Sequence, residues 1–179
     1  IDVAEKAAEF VHKKLRNKNG RLLKRYRLGK AGLSPHLDDY SFMIWGLLNL
    51  YDGTFNVEYL SKAKELAEIM NQDFTDENGG FFIGSKDAEK LMVRSKDSYD
   101  SALPSGNSVA VMNLFRLSKM TGDKKWNDLA EKTLKAFTVQ AKQALTGFAY
   151  MLTGFMFDLK NTKEVVIVAN SFDLNTKEL

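Results

Sequence analysis

Between Arg94 and Asn113 the chain reads Arg-Ser-Lys-Asp-Ser-Tyr-Asp-Ser-Ala-Leu-Pro-Ser-Gly-Asn-Ser-Val-Ala-Val-Met-Asn, and this stretch gathers many of the side chains that could do chemistry. Arg94, Asp97, Tyr99 and Asp100 crowd into one loop, and Ser105 and Asn107 flank Gly106 where a helix is expected to begin. A second polar group, His36-Leu37-Asp38-Asp39-Tyr40, precedes another apolar run. Carboxylates at the mouths of buried helices suit proton transfer when their pKa values are matched to the task. Other chemistries fare worse. Cysteine is absent, which removes thiolate catalysis, disulfides and Cys-ligated metal. Ser105 has no neighbouring histidine to activate it. His12 and His36 are too far apart in sequence to form a helical metal-binding pair. Asp76-Glu77-Asn78-Gly79 lacks the downstream bidentate glutamate of a calcium loop. Neither a metal nor a cofactor is expected.

The elements that must position these residues differ sharply in composition. Asp2 to Asn17 is expected to be an amphipathic helix with Val3, Ala7, Phe10 and Val11 on one face, Asp2 as its cap and Asn19-Gly20 as its stop. Arg21 to Pro35 reads as a basic, glycine-containing connection. Leu37 to Tyr51 is apolar all round after Asp38 and Asp39, so it must be covered on every side. Val57 to Asp73 is amphipathic again, with Leu60, Ala63, Leu66, Ala67 and Met70 as its stripe. Asn78-Gly79-Gly80 before Phe81-Phe82-Ile83 predicts a tight turn and a short strand. Ser105 to Met120 is a second buried helix, and Asp123 caps an amphipathic partner carrying Trp126, Leu129, Ala130, Leu134 and Phe137. Gln143 to Phe157 is a third uncharged helix. Val165-Val166-Ile167-Val168 is a strand candidate in a loosely packed tail over 160–179.

Charged and uncharged helices thus alternate, as in a layered architecture whose every second helix lies inside. A shift of 67 residues superposes Leu47 on Leu114, Leu48 on Phe115, Tyr59 on Trp126 and Met70 on Phe137. Agreement across both members of a hairpin argues for a repeated helix-turn-helix unit. The chain of 179 residues is read as a single unit, a piece of a larger ring. A net charge of +3, with lysines scattered over amphipathic faces, gives no reason to expect nucleic acid. No run reaches the ~18 uncharged apolar residues of a membrane span. The absence of cysteine is compatible with a cytoplasmic setting.

Leu37-Asp38-Asp39-Tyr40-Ser41-Phe42, then Asn78-Gly79-Gly80-Phe81-Phe82, then Tyr99-Asp100-Ser101-Ala102-Leu103-Pro104-Ser105-Gly106-Asn107-Ser108 follow in order. That succession resembles the C-terminal portion of the thioredoxin-containing, spermatogenesis-associated protein family. The likeness runs from Arg21 to Val168; Pro-Ser-Gly-Asn-Ser is its most specific part, and Ser101 stands where the family pattern has glycine. The resemblance implies a thioredoxin-like domain followed by an (α/α)6 toroid similar to those of six-hairpin glycosidases and N-acylglucosamine 2-epimerases. The expected fold is therefore all-α: antiparallel helical hairpins forming about half of such a toroid, with minor short β segments.

In such toroids the substrate cleft lies at one end of the inner helices. Sugar chemistry commonly uses two carboxylates whose separation sets the stereochemistry. Asp39 and Asp100 are the expected catalytic pair, since adjacent Asp38 and Asp39 point apart. His36, Asp38, Tyr40, Arg94, Asp97, Tyr99, Ser105 and Asn107 are expected to bind substrate. Each also has a structural reading. Asp38 or Asp39 could cap its helix, Ser105 the next one, and Asn107 could satisfy a loop carbonyl. Arg94 could pair with Asp97 or Asp100. The favoured function is a carbohydrate-binding or carbohydrate-active domain of hydrolase or epimerase type with a sugar ligand. The alternative is a non-catalytic helical scaffold attached to a thioredoxin-like domain. Half a ring also leaves inner helices uncovered, so self-association is expected.

Overall fold

The computed structural model describes residues 1–88 and 93–160. Six α-helices dominate: α1 (Asp2–Lys14), α2 (Leu37–Thr54), α3 (Val57–Phe74), α4 (Gly106–Thr121), α5 (Lys124–Gln143) and α6 (Ala149–Leu159). Two antiparallel hairpins, α2 with α3 and α4 with α5, stand side by side because α2 packs against α4, while α6 packs on the other flank of α4. The inner row is therefore α2, α4, α6, and α3 and α5 lie outside it. This is the mostly-α hairpin architecture of a partial (α/α)6 toroid.

Local chemistry explains the joints. At the α2–α3 turn, Phe55 takes the left-handed conformation at φ 53° and Asn56 accepts a hydrogen bond from the Glu58 amide. Sixty-seven positions later Gly122, at φ 68°, and Asp123, accepting from the Lys125 amide, repeat both moves. Glycine adopts that backbone at no steric cost, whereas phenylalanine costs roughly 1–2 kcal/mol there. The repeat seen in the sequence is thus carried into three dimensions by its caps as well as its core.

The core confirms which helix is inner. Ser105 and eleven of the sixteen residues of α4 (106–111 and 113–117) are buried, including Val109, Ala110, Val111, Leu114, Phe115 and Leu117 at 0% exposure. From α3 come Ala63, Leu66, Ala67, Met70 and Phe74; from α5 come Trp126, Ala130 and Phe137. Ser41 and Asn113 tie the inner pair together: Ser41 donates to the Gly106 carbonyl at 2.9 Å, and Asn113 Nδ2 donates to the Ser41 carbonyl at 2.8 Å. Gly154 lets α6 close on α4, since a Cβ there would stand 3.2 Å from Val111 Cγ1 and 3.4 Å from Met112 N. Away from α4, α6 leaves Phe155, Met156 and Leu159 exposed.

Several boundaries differ from the sequence reading. The first helix stops at Lys14, with Ile1 rather than Asp2 at its cap position. The connection after it holds a small hairpin, β1 (Arg25–Arg27) with β2 (Lys30–Gly32), closed by Leu28 and Gly29 at φ 49° and 78°. A leucine at positive φ is a poor turn signal, and the sequence offered no Asn-Gly there. The expected strand after Asn78 is only a bridge between Thr75 and Phe81. The third uncharged run is broken into a short 3-10 turn, Leu145–Phe148, and α6. The strand candidate Val165–Val168 lies outside the described residues. Among the described residues, no helix is long and apolar enough to cross a membrane.

Candidate functional site

The first turns of α2 and α4 lie together. Gly106, the first residue of α4, lets the two meet closely: a Cβ there would displace the Asp38 carboxylate and press on Leu37 at 3.0 Å. The chain from Val93 to Ser105 forms a rim over this point and is pinned from three sides. On one side Arg94 stacks over the Phe82 ring at 4.0 Å and donates to the Gly84 carbonyl at 2.7 Å. Lys96 lies over the same ring, pairs with Asp76 at 2.6 Å and donates to the Gly79 carbonyl. From beneath, fully buried Asn107 donates to the carbonyls of Phe81 and Asp97 at 2.9 and 2.7 Å and accepts from the Phe81 amide at 2.8 Å. On the third side Tyr99 lies edge-on to Phe148 and over Gly147, where any Cβ would enter its ring.

The expected site residues therefore divide. Asp39 accepts from the His36 amide at 2.7 Å, the N-terminal cap of α2. Asp100 is spent on both oxygens: one accepts from the Ser105 amide at 2.9 Å, the other from the Tyr150 amide at 2.8 Å in the first turn of α6. Ser105 caps α4 by accepting from the Ser108 amide. Arg94 makes no ion pair with Asp97 or Asp100; its guanidinium serves backbone carbonyls instead. Tyr40 and Asn107 are both fully buried, Tyr40 accepting from the Leu22 amide and packing on Phe74. Neither reaches an open surface. His36 is exposed and meets Lys24. Asp97 accepts from the Tyr99 amide and is exposed, as is Tyr99.

Asp38 stands apart. Alone among the aspartates at this mouth, its carboxylate makes no hydrogen bond with the described residues. The residue is exposed as a whole, but its carboxylate is the part tucked against the start of α4. Burial of that group, reinforced by the charges of Asp39 and Asp97 and opposed by His36 and Lys24, holds it above the usual carboxylate range. An uncommitted, partly desolvated carboxyl is the form a general acid takes.

Four side chains outside the expected site, Phe42, Trp45, Asn49 and Asp52, continue from Asp38 at intervals of four, three, four and three residues, one face of α2. Trp45 meets Phe42 at 6.0 Å and Tyr150 of α6 at 5.3 Å, so the rings bridge from α2 to α6. Arg116 of α4 donates to Asn49 at 2.9 Å and pairs with Asp52 at 2.6 Å at the far end. Tyr150 lies between the two ends: burial raises its hydroxyl pKa, Asp100 adds to that, and Arg116 opposes it. The signal was present as a spacing, but it was hidden in a run that is apolar on every face. Among the described residues, no group of three or more Asp, Glu or His is placed to hold a metal ion.

Comparison with known proteins places this arrangement. The model of glycosyl hydrolase family 47 matches residues 43–170. The human spermatogenesis-associated protein 20 is 31% identical over all of this chain, and the rat protein of that name is 34% identical over 80% of it. An uncharacterised protein of Caenorhabditis elegans is 36% identical over 75% of the chain. The chain spans only 24%, 18% and 19% of these three relatives, respectively. With most of its length matched, the chain belongs to glycosyl hydrolase family 47, and its similarity to the spermatogenesis-associated proteins covers one part of those longer molecules.

Proposed function

We propose that this chain forms one wall of a carbohydrate cleft, in which Asp38 donates a proton to the leaving oxygen of a glycosidic bond. The observation that carries the proposal is the state of Asp38: desolvated against α4, raised in pKa and free of hydrogen bonds among the described residues. Glycoside hydrolysis needs a second carboxylate to activate water or attack the sugar. Asp97, exposed and close enough to act on Asp38 electrostatically, is the candidate within this chain. Asp39 and Asp100 take positioning roles in this scheme, because their oxygens already hold backbone amides. Exposed Tyr99 and His36 flank the opening, and the remainder of the longer protein supplies the opposite wall.

The test is Asp38→Asn in the full-length protein, assayed against a library of neutral oligosaccharides for both binding and release of reducing ends. We expect turnover to fall by roughly 10²–10⁴-fold with binding retained. Turnover at the wild-type rate in the variant would remove Asp38 from the mechanism. If the unaltered protein neither binds nor cleaves any member, the cleft itself is refuted. One set of observations favours a non-catalytic scaffold beside the thioredoxin-like domain of a longer chain: Asp39, Asp100, Arg94, Ser105 and Asn107 all serve the backbone. That reading expects the second result.

A further inference from the structure

Of the six helices, α1 is the one that buries no residue; only Ala8 and Val11 pack on the core, as half-buried side chains. Its hold on the hairpin of α2 and α3 is polar. Near its start Tyr59 of α3 donates to Glu5 at 2.8 Å. Just beyond its end Arg16, whose side chain is only 11% exposed, pairs with Glu65 of α3 and donates through Nε to the Gly20 carbonyl at 2.6 Å. The same guanidinium donates to His12 Nδ1 at 3.1 Å. Gly20 makes room for it: its φ of 77° suits glycine, and a Cβ there would stand 2.8 Å from Arg16 Nη2.

The bond to His12 fixes where the imidazole proton sits. A guanidinium only donates, so Nδ1 must accept, and the ring must be neutral with its proton on Nε2. Protonation removes that acceptor and sets an imidazolium against Arg16. On α1, Lys13 adds to the repulsion, and Glu9 is taken up by Lys13. From α3, Lys62 adds to it and Glu65 opposes it with a carboxylate already shared with Arg16. Burial, and then the charges of Arg16 and Lys62, hold the His12 pKa below the usual value of 6.5.

We propose that His12, Arg16 and Glu65 form a proton-sensitive latch that fastens the end of α1 to α3, closed while His12 is neutral and opened by its protonation. The sign follows from linkage. The opened helix, with an ordinary histidine, binds the proton more readily than the closed one. The latch is therefore at full strength above about pH 6.5 and weakens as pH falls below it. Glu65 stays ionised through this window, because the Arg16 hydrogen bond holds it below the usual carboxylate range. One proton taken up on opening can raise the open population at most about tenfold at about pH 5.5.

Hydrogen exchange of the full-length protein tests the latch, with each rate referred to the intrinsic rate at that pH. Between about pH 7.5 and 5.5, amides of residues 9–16 should lose severalfold in protection, within the about tenfold ceiling, while buried α4 keeps its own. His12→Gln offers an acceptor that does not titrate, so its α1 should be equally protected at both values. Glu65→Gln should loosen the same amides at both. A wild-type α1 whose protection is the same at both values would overturn the latch, and so would a His12→Gln variant that loosens on acidification as wild type does. Should His12→Gln fail to fold, deuterium exchange at the His12 ring C2 hydrogen of the unaltered protein decides, read by mass spectrometry across pH. Its midpoint should lie below 6.5, and a midpoint at or above that value refutes the proposal.

Discussion

Removing the side chain of Asn107 should do more damage than any other single truncation at the mouth. The amide joins three backbone groups that have no other claim on it: the carbonyls of Phe81 and Asp97 and the amide of Phe81. Alanine leaves the two Phe81 groups buried and unpaired, each costing about 1–3 kcal/mol, and frees the Asp97 carbonyl, which is only partly buried. The vacated space is polar and can admit a water that restores some of these bonds. The expected loss is therefore about 3 kcal/mol rather than the full sum. Urea unfolding followed by the fluorescence of buried Trp126 measures it, and hydrogen exchange at the Phe81 amide shows where it falls. Asn107→Asp gives an internal control. It keeps the acceptor for Phe81 N but turns a second oxygen toward two carbonyls, so its ionised form is disfavoured by the fold. Stability of that variant should recover as pH falls and the acid protonates. A loss below about 1 kcal/mol for Asn107→Ala, outside the range for buried unpaired groups, would refute this account of the rim.

Three other outcomes follow from the geometry. Because the fold raises the pKa of Asp38, its ionised form is disfavoured, and stability is lost as pH rises through the folded pKa. Asp38→Asn should thus melt above wild type at pH 7, with the gap closing on acidification; a gap independent of pH would contradict the desolvated state. Gly147→Ala should cost about 1–3 kcal/mol by driving a methyl into Tyr99, whereas Gly46→Ala, which meets open space inside α2, should gain about 0.5–1 kcal/mol. Calorimetry of the two variants should move in opposite directions. Sedimentation of this segment should show concentration-dependent association through Phe155, Met156 and Leu159, abolished by Met156→Glu with Leu159→Glu.

The inner and outer assignment of α2 to α5 was legible because helices covered on most sides carry few charges, as α2 and α4 do; α6 shares that composition yet buries only Met151 and Gly154. The hairpin repeat was legible through its apolar positions; the matching caps were not, because a turn expected at Asp52-Gly53-Thr54 falls at Phe55-Asn56. Of the candidate site, the sequence showed only which polar residues gather at the starts of α2 and α4. Asp39 and Asp100 have the right type and neighbourhood, yet a carboxylate at a helix start is as useful to a cap as to a substrate, and the sequence does not show which amide it meets. Asp100 finds its second partner in Tyr150, fifty residues on, a contact that no local spacing encodes. Arg94 was expected beside an aspartate, but Phe82 and the Gly84 carbonyl hold it. The break before α6, where Ala144 leaves helical geometry at φ -147° and ψ 65°, was equally hidden.

The bond from Asp100 to the start of α6 also sets an order of events. The rim from Val93 to Ser105 cannot take its final shape from the residues around it, since Asp100 N seeks the Gly147 carbonyl and Asp100 Oδ2 the Tyr150 amide. On a ribosome those partners emerge after α4 and α5 have already been made. The two hairpins can form from local contacts and fold early, while closing the loop to α6 waits for the chain to lengthen. The rim from Val93 to Ser105 therefore closes only after the start of α6 has been made, and slow translation beyond Gln143 would prolong its unfinished state.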